Sequence, residues 1–262
     1  MTREVMEAVE EAQLLLVGIG TEWETPVDGL KEDPFYGPLL LQAGRAGGGP
    51  LEQYVQFHCL RRHPDPRRMA AYGKLERLLA GKNYFIVSLC RDDLIFESGL
   101  DADRIVTPCG GFRAFQCAGS CEGGGEKGLL RDEDAMESIL SRIDEGALDP
   151  EAFPRCPSCG KPLWFNQISS PDYREEGYLP QWNLYTKWLQ GTLNRELCIL
   201  ELGAGMQFPQ IIRFPFEKVA YFNRKARFFR IHSRLYQLTE ELREKGVSIA
   251  ENSVDFLLEE SE

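Results

Sequence analysis

Leu14-Leu15-Leu16-Val17 is the first unbroken apolar run of the chain, and Gly18-Ile19-Gly20 closes it. A short run without polar alternation, ending in a glycine turn, predicts a strand buried on both faces of a parallel sheet. Tyr84–Leu89, Ile105-Val106, Cys198–Leu202, Phe228–Ile231 and Val247–Ile249 repeat the pattern. Between these runs the apolar period lengthens to that of a helix. Val5, Met6, Val9 and Ala12 share a face over residues 2–12, and Met69, Tyr72, Leu75, Leu78 and Leu79 share one over residues 67–80, which Gly81 stops. Asp92 and Asp93 open a further helix ending near Gly99, where acidic residues suit the positive end. Met136, Ile139, Leu140 and Ile143 mark an acidic helix over residues 132–145. Trp182, Tyr185, Trp188 and Leu189 mark the next, and Leu235, Leu238 and Leu242 predict one over residues 233–245, stopped by Gly246. Asn252 caps a terminal helix.

Strands alternating with helices, two of the strands running into Gly-x-Gly, give an α/β class: a doubly wound parallel sheet with its ligand at the carboxyl ends of the strands. Residues 1–108 and 166–262 make up this larger domain, and residues 109–165 form an inserted small module. Residues 25–50 are rich in Pro and Gly and read as an irregular excursion over a ligand; with the proline-broken stretch beyond, residues 25–66 are expected to be flexible.

Composition narrows the function. The chain has 262 residues, 43% hydrophobic and 27% charged, with a net charge of -11. That charge argues against broad nucleic-acid binding, which needs cations to displace counterions. The basic run Arg61-Arg62-His63 with Arg67-Arg68 is broken by Pro64 and Pro66 and reads as a solvated loop leading into a helix. An acidic chain that binds a pyrophosphate must use helix N-termini, backbone N–H groups and a few arginines. No apolar run has bilayer-spanning length, and Glu4, Glu7, Glu10 and Glu11 have the wrong sign for a secretory leader, so neither a membrane partner nor export is expected and a cytoplasmic location is.

Four of the eight cysteines have metal-ligand spacing. Three residues separate Cys117 from Cys121, two separate Cys156 from Cys159, and 34 lie between the pairs. Short-spaced thiol pairs with Gly or Ser in the knuckle, as in Cys156-Pro157-Ser158-Cys159-Gly160, fit a closed, structural four-thiolate zinc site. Gly123-Gly124-Gly125 reads as a loop of this module. Cys59 and Cys198 sit among apolar neighbours as small core residues.

Several motifs in combination resemble the sirtuins, NAD-dependent protein deacylases, over most of residues 12–232. They are Val17-Gly18-Ile19-Gly20-Thr21, Tyr84-Phe85-Ile86-Val87-Ser88 leading to Asp92, Phe115-Gln116-Cys117 with the cysteine pairs, and the strand Arg230-Ile231-His232. Leu200-Glu201-Leu202-Gly203-Ala204-Gly205 and Ile211-Ile212-Arg213-Phe214-Pro215-Phe216 look more narrowly like the macrodomain-linked branch, whose members are protein ADP-ribosyltransferases. The resemblance implies a zinc-containing protein with NAD bound between sheet and small module. It implies contacts from Gly18, Ile19, Gly20, Thr21, Ser88, Gly203, Gly205, Met206 and His232, with Asp92 at the nicotinamide end. It also implies a protein acceptor.

The departures fall on the chemistry. Cys90 stands where the family keeps an asparagine, and Cys109 where deacylases keep a histidine base and the transferase branch a glutamine. A thiol, with an ordinary pKa of about 8.5 against about 6.5 for imidazole, is a poor proton shuttle. Cys90, Asp92 and Cys109 are therefore the candidate catalytic positions, and Cys90 and Cys109 are expected to lie close together. Glu22 and Glu24, beside Trp23, stand in the first loop, where carboxylates repel a pyrophosphate unless they point away. Three readings follow: ADP-ribosyl transfer from NAD to a protein, a disarmed module that binds NAD or ADP-ribose or acts as a scaffold, and a protein deacylase.

Overall fold

The computed structural model describes residues 1–117, 119, 121 and 128–259; the Gly123-Gly124-Gly125 loop lies outside the described residues. Strand β1 (Leu14–Ile19) pairs in parallel with β2 (Asn83–Ser88) on one side and with β7 (Leu197–Leu202) on the other. Adding β3 (Ile105–Val106), β8 (Ala226–Ile231) and β9 (Gly246–Ile249) gives a six-stranded parallel sheet of order β3-β2-β1-β7-β8-β9. The order reverses between β1 and β7, the place where open α/β sheets form a ligand crevice. A second, antiparallel sheet has the order β5 (Leu129–Leu130), β4 (Gly110–Cys117), β6 (Leu163–Gln167).

The unbroken apolar runs are buried on both faces, and their alternation sorts the two layers. Leu15, Val17 and Ile19 of β1 join Val5 of α1 (Arg3–Glu11), Tyr72 and Leu75 of α4 (Pro66–Leu79) and Phe256 of α8 (Ser253–Leu258) in one core. Leu14 and Leu16 face the opposite way, toward Tyr185 of α6 (Leu179–Gln190) and Phe216 of α7 (Arg213–Phe222). Each fully buried large side chain contributes about 1.5–3 kcal/mol. Among the described residues no helix is long and apolar enough to cross a membrane.

Three expectations need correcting. The segment expected to be irregular is largely helical, forming α2 (Tyr36–Arg45) and α3 (Pro50–Arg62). Its prolines begin helices instead of breaking chain structure: Pro50 opens α3, and Pro66 opens α4 behind the Asp65 cap. These helices share a third core with the small sheet and α5 (Glu133–Asp144), in which Tyr54 and Phe57 meet Phe112, Phe115, Ile139 and Phe165. The helix expected from Asp92 shrinks to a 3-10 turn at Leu94–Glu97, because Asp93 turns the backbone left-handed at φ 60°.

The helix expected over residues 233–245 is also absent; a 3-10 turn at Glu240–Leu242 is the helical part of that stretch. Side chains take the backbone groups a helix would bond internally. Arg213 donates to the Leu235 carbonyl at 2.9 Å and Arg230 to that of Gln237 at 2.8 Å. His232 Nδ1 accepts the N–H groups of Arg234 and Leu235.

Arg230 also forms a fork onto Glu201 at 2.6 and 2.9 Å and reaches Glu217 at 2.8 Å, all beneath α7. Arg230 is 1% exposed and Glu201 0%. Losing one partner of such a pair leaves the other charge buried and uncompensated. Arg230→Met is expected to cost about 3–5 kcal/mol, read as a lowered urea midpoint. A midpoint within error of the unmodified protein would show that the pair carries no stability.

Candidate functional site

The site begins where the loops after β1 and β7 touch. A Cβ on Gly20 would lie 2.1 Å from the Gly203 carbonyl oxygen and 2.2 Å from Ala204 Cα, so the two backbones meet where no side chain fits. Gly203 has φ +67° and lies against Glu22 and Ser253. Gly205 faces open space in which His232 Nε2 and Thr21 Oγ1 each stand 3.9 Å from where a Cβ would be. Thr21, Gly205 and His232 thus converge on one small cradle, and Met206 beside it is exposed. Burial lowers the His232 imidazole, although the nearby Glu22 carboxylate opposes this.

Other expected contacts fall elsewhere. Gly18 lies inside β1 under α7, where a Cβ would strike Ile212 and Phe216, so its smallness serves helix packing and not phosphate approach. Ile19 is buried in the core shared with α4. Ser88 is buried and its hydroxyl accepts the Cys90 N–H at 3.2 Å. Glu22 is tied down at the edge of the crevice, with Oε1 3.1 Å from His232 Nδ1. Its carboxylate accepts the N–H and O–H of Ser233 at 2.9 and 2.5 Å, and those of Ser253 at 2.9 and 2.8 Å. Trp23 is fully buried, tilted against Tyr72 with ring centroids 4.8 Å apart and donating to the Ser253 hydroxyl, so it belongs to the core.

Next to the glycine crossing, a cavity of about 250 Å³ lies between the main sheet and the smaller lobe. Asp92 is on its wall, with Oδ2 accepting the Thr25 N–H at 2.7 Å and Oδ1 that of Leu94 at 3.2 Å. Burial pushes its carboxyl up, against the pull of those N–H donors. Glu24 faces the same cavity, but Arg91 clamps it: Nε donates to Oε1 at 2.7 Å and Nη2 to Oε2 at 3.3 Å. Phe112, Gln56, Leu60 and Gln167 complete the wall from the smaller lobe. The Glu24–Arg91 pair was legible in principle, since opposite charges follow neighbouring strands β1 and β2. Nothing in the sequence singles out Gln167 or the residues from α3.

Cys90 and Cys109 belong to different cores. Cys90 packs beneath α4 and donates to the Gly20 carbonyl at 3.4 Å, whereas Cys109 packs in the core on the α6 side. Burial pushes both thiols up, Cys109 to about 12. Burial thus disfavours the thiolate form of both. Of the three histidines, His58 is buried between Tyr36 and Asp144, His63 ends α3, and His232 lies in the cradle, so no imidazole lines the cavity. The basic run is paired: Arg61 bonds Glu97, Arg62 bonds Asp144, and Arg68 bonds Asp65 and the carbonyls of Glu22 and Trp23.

Cys117, Cys121, Cys156 and Cys159 converge, with all four sulfurs within 4.8 Å of one another. Sulfurs about 2.3 Å from a tetrahedral zinc stand about 3.8 Å apart, and the Cys117–Cys159 and Cys121–Cys156 separations are 3.3 and 3.4 Å. Burial works against the Cys156 thiolate, but the N–H groups of Ser158 and Cys159 overrule it and bring the thiol down to about 6. The donor set fits a closed zinc site.

No family model matches the chain. A protein ADP-ribosyltransferase of Staphylococcus aureus is 21% identical over 94% of this chain and 82% of its own length. A probable bifunctional ADP-ribose hydrolase/ADP-ribosyltransferase of Fusarium oxysporum is 27% identical over 52% of this chain, which spans 23% of that relative. Among solved structures, a sirtuin examined for its substrate affinity aligns over 98% of this chain and 96% of its own, with TM-score 0.55 and 11% identity. A mutant Sir2 homologue in complex with ADP-ribose aligns over 98% and 94%, with TM-score 0.54 and 15% identity. The chain has the sirtuin fold.

Two measurements test the site's supports. Exhaustive chelation, or Cys156→Ser, is expected to lower the thermal midpoint, and metal analysis to return about one zinc per chain. An unchanged midpoint after complete metal removal would rule out a structural metal. Asp93 is 2% exposed and accepts the Phe112 N–H, tying the sheet to β4. Burial raises its carboxyl from 3.8 to about 7. The folded state therefore favours the protonated form, and this contribution is full below about pH 4 and lost as pH rises through about 7. Asp93→Asn keeps an acceptor for Phe112 and suits the left-handed backbone. Its stability relative to the unmodified protein is expected to rise by an order of 2–4 kcal/mol from about pH 4 to about pH 8. A pH-independent difference would contradict the assignment.

Proposed function

We propose that this protein transfers the ADP-ribosyl group of NAD to a protein acceptor and releases nicotinamide. The observation that carries the reading is an acidic cavity adjoining the glycine crossing at the carboxyl edge of the sheet. Glu24, Asp28 and Asp92 face one guanidinium there, that of Arg91. A pocket with that balance favours the cationic pyridinium end of NAD and the positive charge that develops on the ribose as nicotinamide leaves. The cradle of Thr21, Gly205 and His232 beyond the crossing suits the adenosine side, with the pyrophosphate over the backbone between. The glycosidic C–N bond breaks, nicotinamide departs with the bonding pair, and an acceptor heteroatom bonds the ribose carbon and loses its proton to water.

The Staphylococcus and Fusarium relatives, an ADP-ribosyltransferase and a probable bifunctional ADP-ribose hydrolase/ADP-ribosyltransferase, support transfer over deacylation. So does the lack of an imidazole in the cavity, since deacylation requires a base to activate a ribose hydroxyl. The two buried thiols favour a second reading, in which the same pocket binds NAD or ADP-ribose without turnover.

Calorimetry of zinc-loaded protein with NAD, followed by assay of nicotinamide release with native cell protein, tests both. Saturable binding with release and a labelled acceptor is the expected result. Binding without release would leave the binding module, and no binding at millimolar NAD would overturn both.

A further inference from the structure

Gln167 ends β6 at the wall of the acidic cavity, carried in by the smaller lobe. It is 3% exposed. The Ser169 hydroxyl donates to its Oε1 at 3.3 Å, which fixes the amide and leaves Nε2 as the other end. Among the described residues no protein group accepts from that buried Nε2. Leaving a buried donor unused is costly, so its persistence calls for an acceptor supplied by whatever fills the cavity. The remaining wall restricts what that is. Phe112 and Leu60 offer flat apolar surface, and Asp92 is a buried carboxyl with lone pairs left beyond its two backbone contacts. Thr25 Oγ1 is a second buried group without a partner on the same wall, and the Gln167 donor, the Asp92 acceptor and the Phe112 ring together are complementary to an aromatic primary carboxamide, which presents one carbonyl oxygen and one NH2 group.

We infer that Gln167 is a specificity residue of the NAD site, donating its Nε2–H to the carboxamide oxygen of the nicotinamide ring while Asp92 accepts from the carboxamide NH2. The inference rests on the proposed NAD reading and adds a residue from the smaller lobe to it. It also accounts for selection of the amide over the acid: a carboxylate in the same place would face Asp92 and Glu24 with no NH2 to offer.

The test is calorimetric binding of NAD, of its thioamide analogue and of ADP-ribose to the zinc-loaded protein and to Gln167→Met, which keeps the side chain's length and removes the donor. Loss of one buried hydrogen bond is expected to weaken NAD by about 5- to 10-fold and leave ADP-ribose within about 2-fold. Sulfur accepts poorly, so the thioamide is expected to bind the unmodified protein several-fold more weakly than NAD, and the two dinucleotides are expected to bind Gln167→Met alike. The thioamide comparison in the unmodified protein needs no variant to fold. If NAD and ADP-ribose bind and Gln167→Met changes neither, or both equally, Gln167 does not read the carboxamide. If neither nucleotide binds the unmodified protein, the NAD reading fails and this inference with it.

Discussion

The backbone contact between Gly20 and Gly203 sets the geometry of the rest. Two parallel strands, each followed by a loop that turns away from the sheet, end within van der Waals contact of each other, and neither loop has a Cβ to spare. That contact holds open the crevice on either side of it. The cradle of Thr21, Gly205 and His232 and the acidic cavity with Asp92 meet at Thr21, which belongs to both. The layers beneath serve to hold the two strand ends in register: β1 and β7 match residue for residue from Leu14 opposite Leu197 to Ile19 opposite Leu202.

How far the sequence carries depends on whether a residue's role is local. The parallel strands were legible because burial on both faces leaves an unbroken apolar run, and the four-thiolate quartet because zinc knuckles have short, fixed spacing. Helices α2 and α3 were illegible because Pro and Gly were counted as breakers, whereas Pro50 occupies a first turn, where its missing N–H costs nothing. The periodic leucines at 235, 238 and 242 misled for a different reason. Propensity there loses to Arg213 and Arg230, whose guanidinium groups take the carbonyls the helix would need. Gln167 depends on a contact between the main sheet and the smaller lobe, and the Cys90 and Cys109 environments on packing between the main sheet and its helices, which no local pattern encodes.

For an acidic chain the proposed dinucleotide poses an electrostatic problem. The guanidinium groups nearest the crevice are engaged: Arg91 by Glu24, Arg230 by Glu201 and Glu217, Arg213 by backbone carbonyls. Arg234 stands close enough to His232 to lower its imidazole, and backbone N–H groups at the crossing can share a phosphate's charge with it. The carboxylates in turn are segregated. Glu22 is saturated by two serines, while Glu24 and Asp92 line the acidic cavity.

The Glu22 arrangement also couples distant parts of the chain. Its carboxylate is the joint between the loop after β1, the turn after β8 and the first residue of α8. Trp23 doubles the joint through the Ser253 hydroxyl. The last helix of the fold is therefore mechanically part of the nucleotide loop, although some 230 positions separate them in the chain. A displacement of α8, by a binding partner or an appended sequence, would be transmitted to Thr21 through rigid hydrogen bonds and not through slack backbone. The first residue of α8 and the loop that carries Thr21 are thus held as one hydrogen-bonded unit.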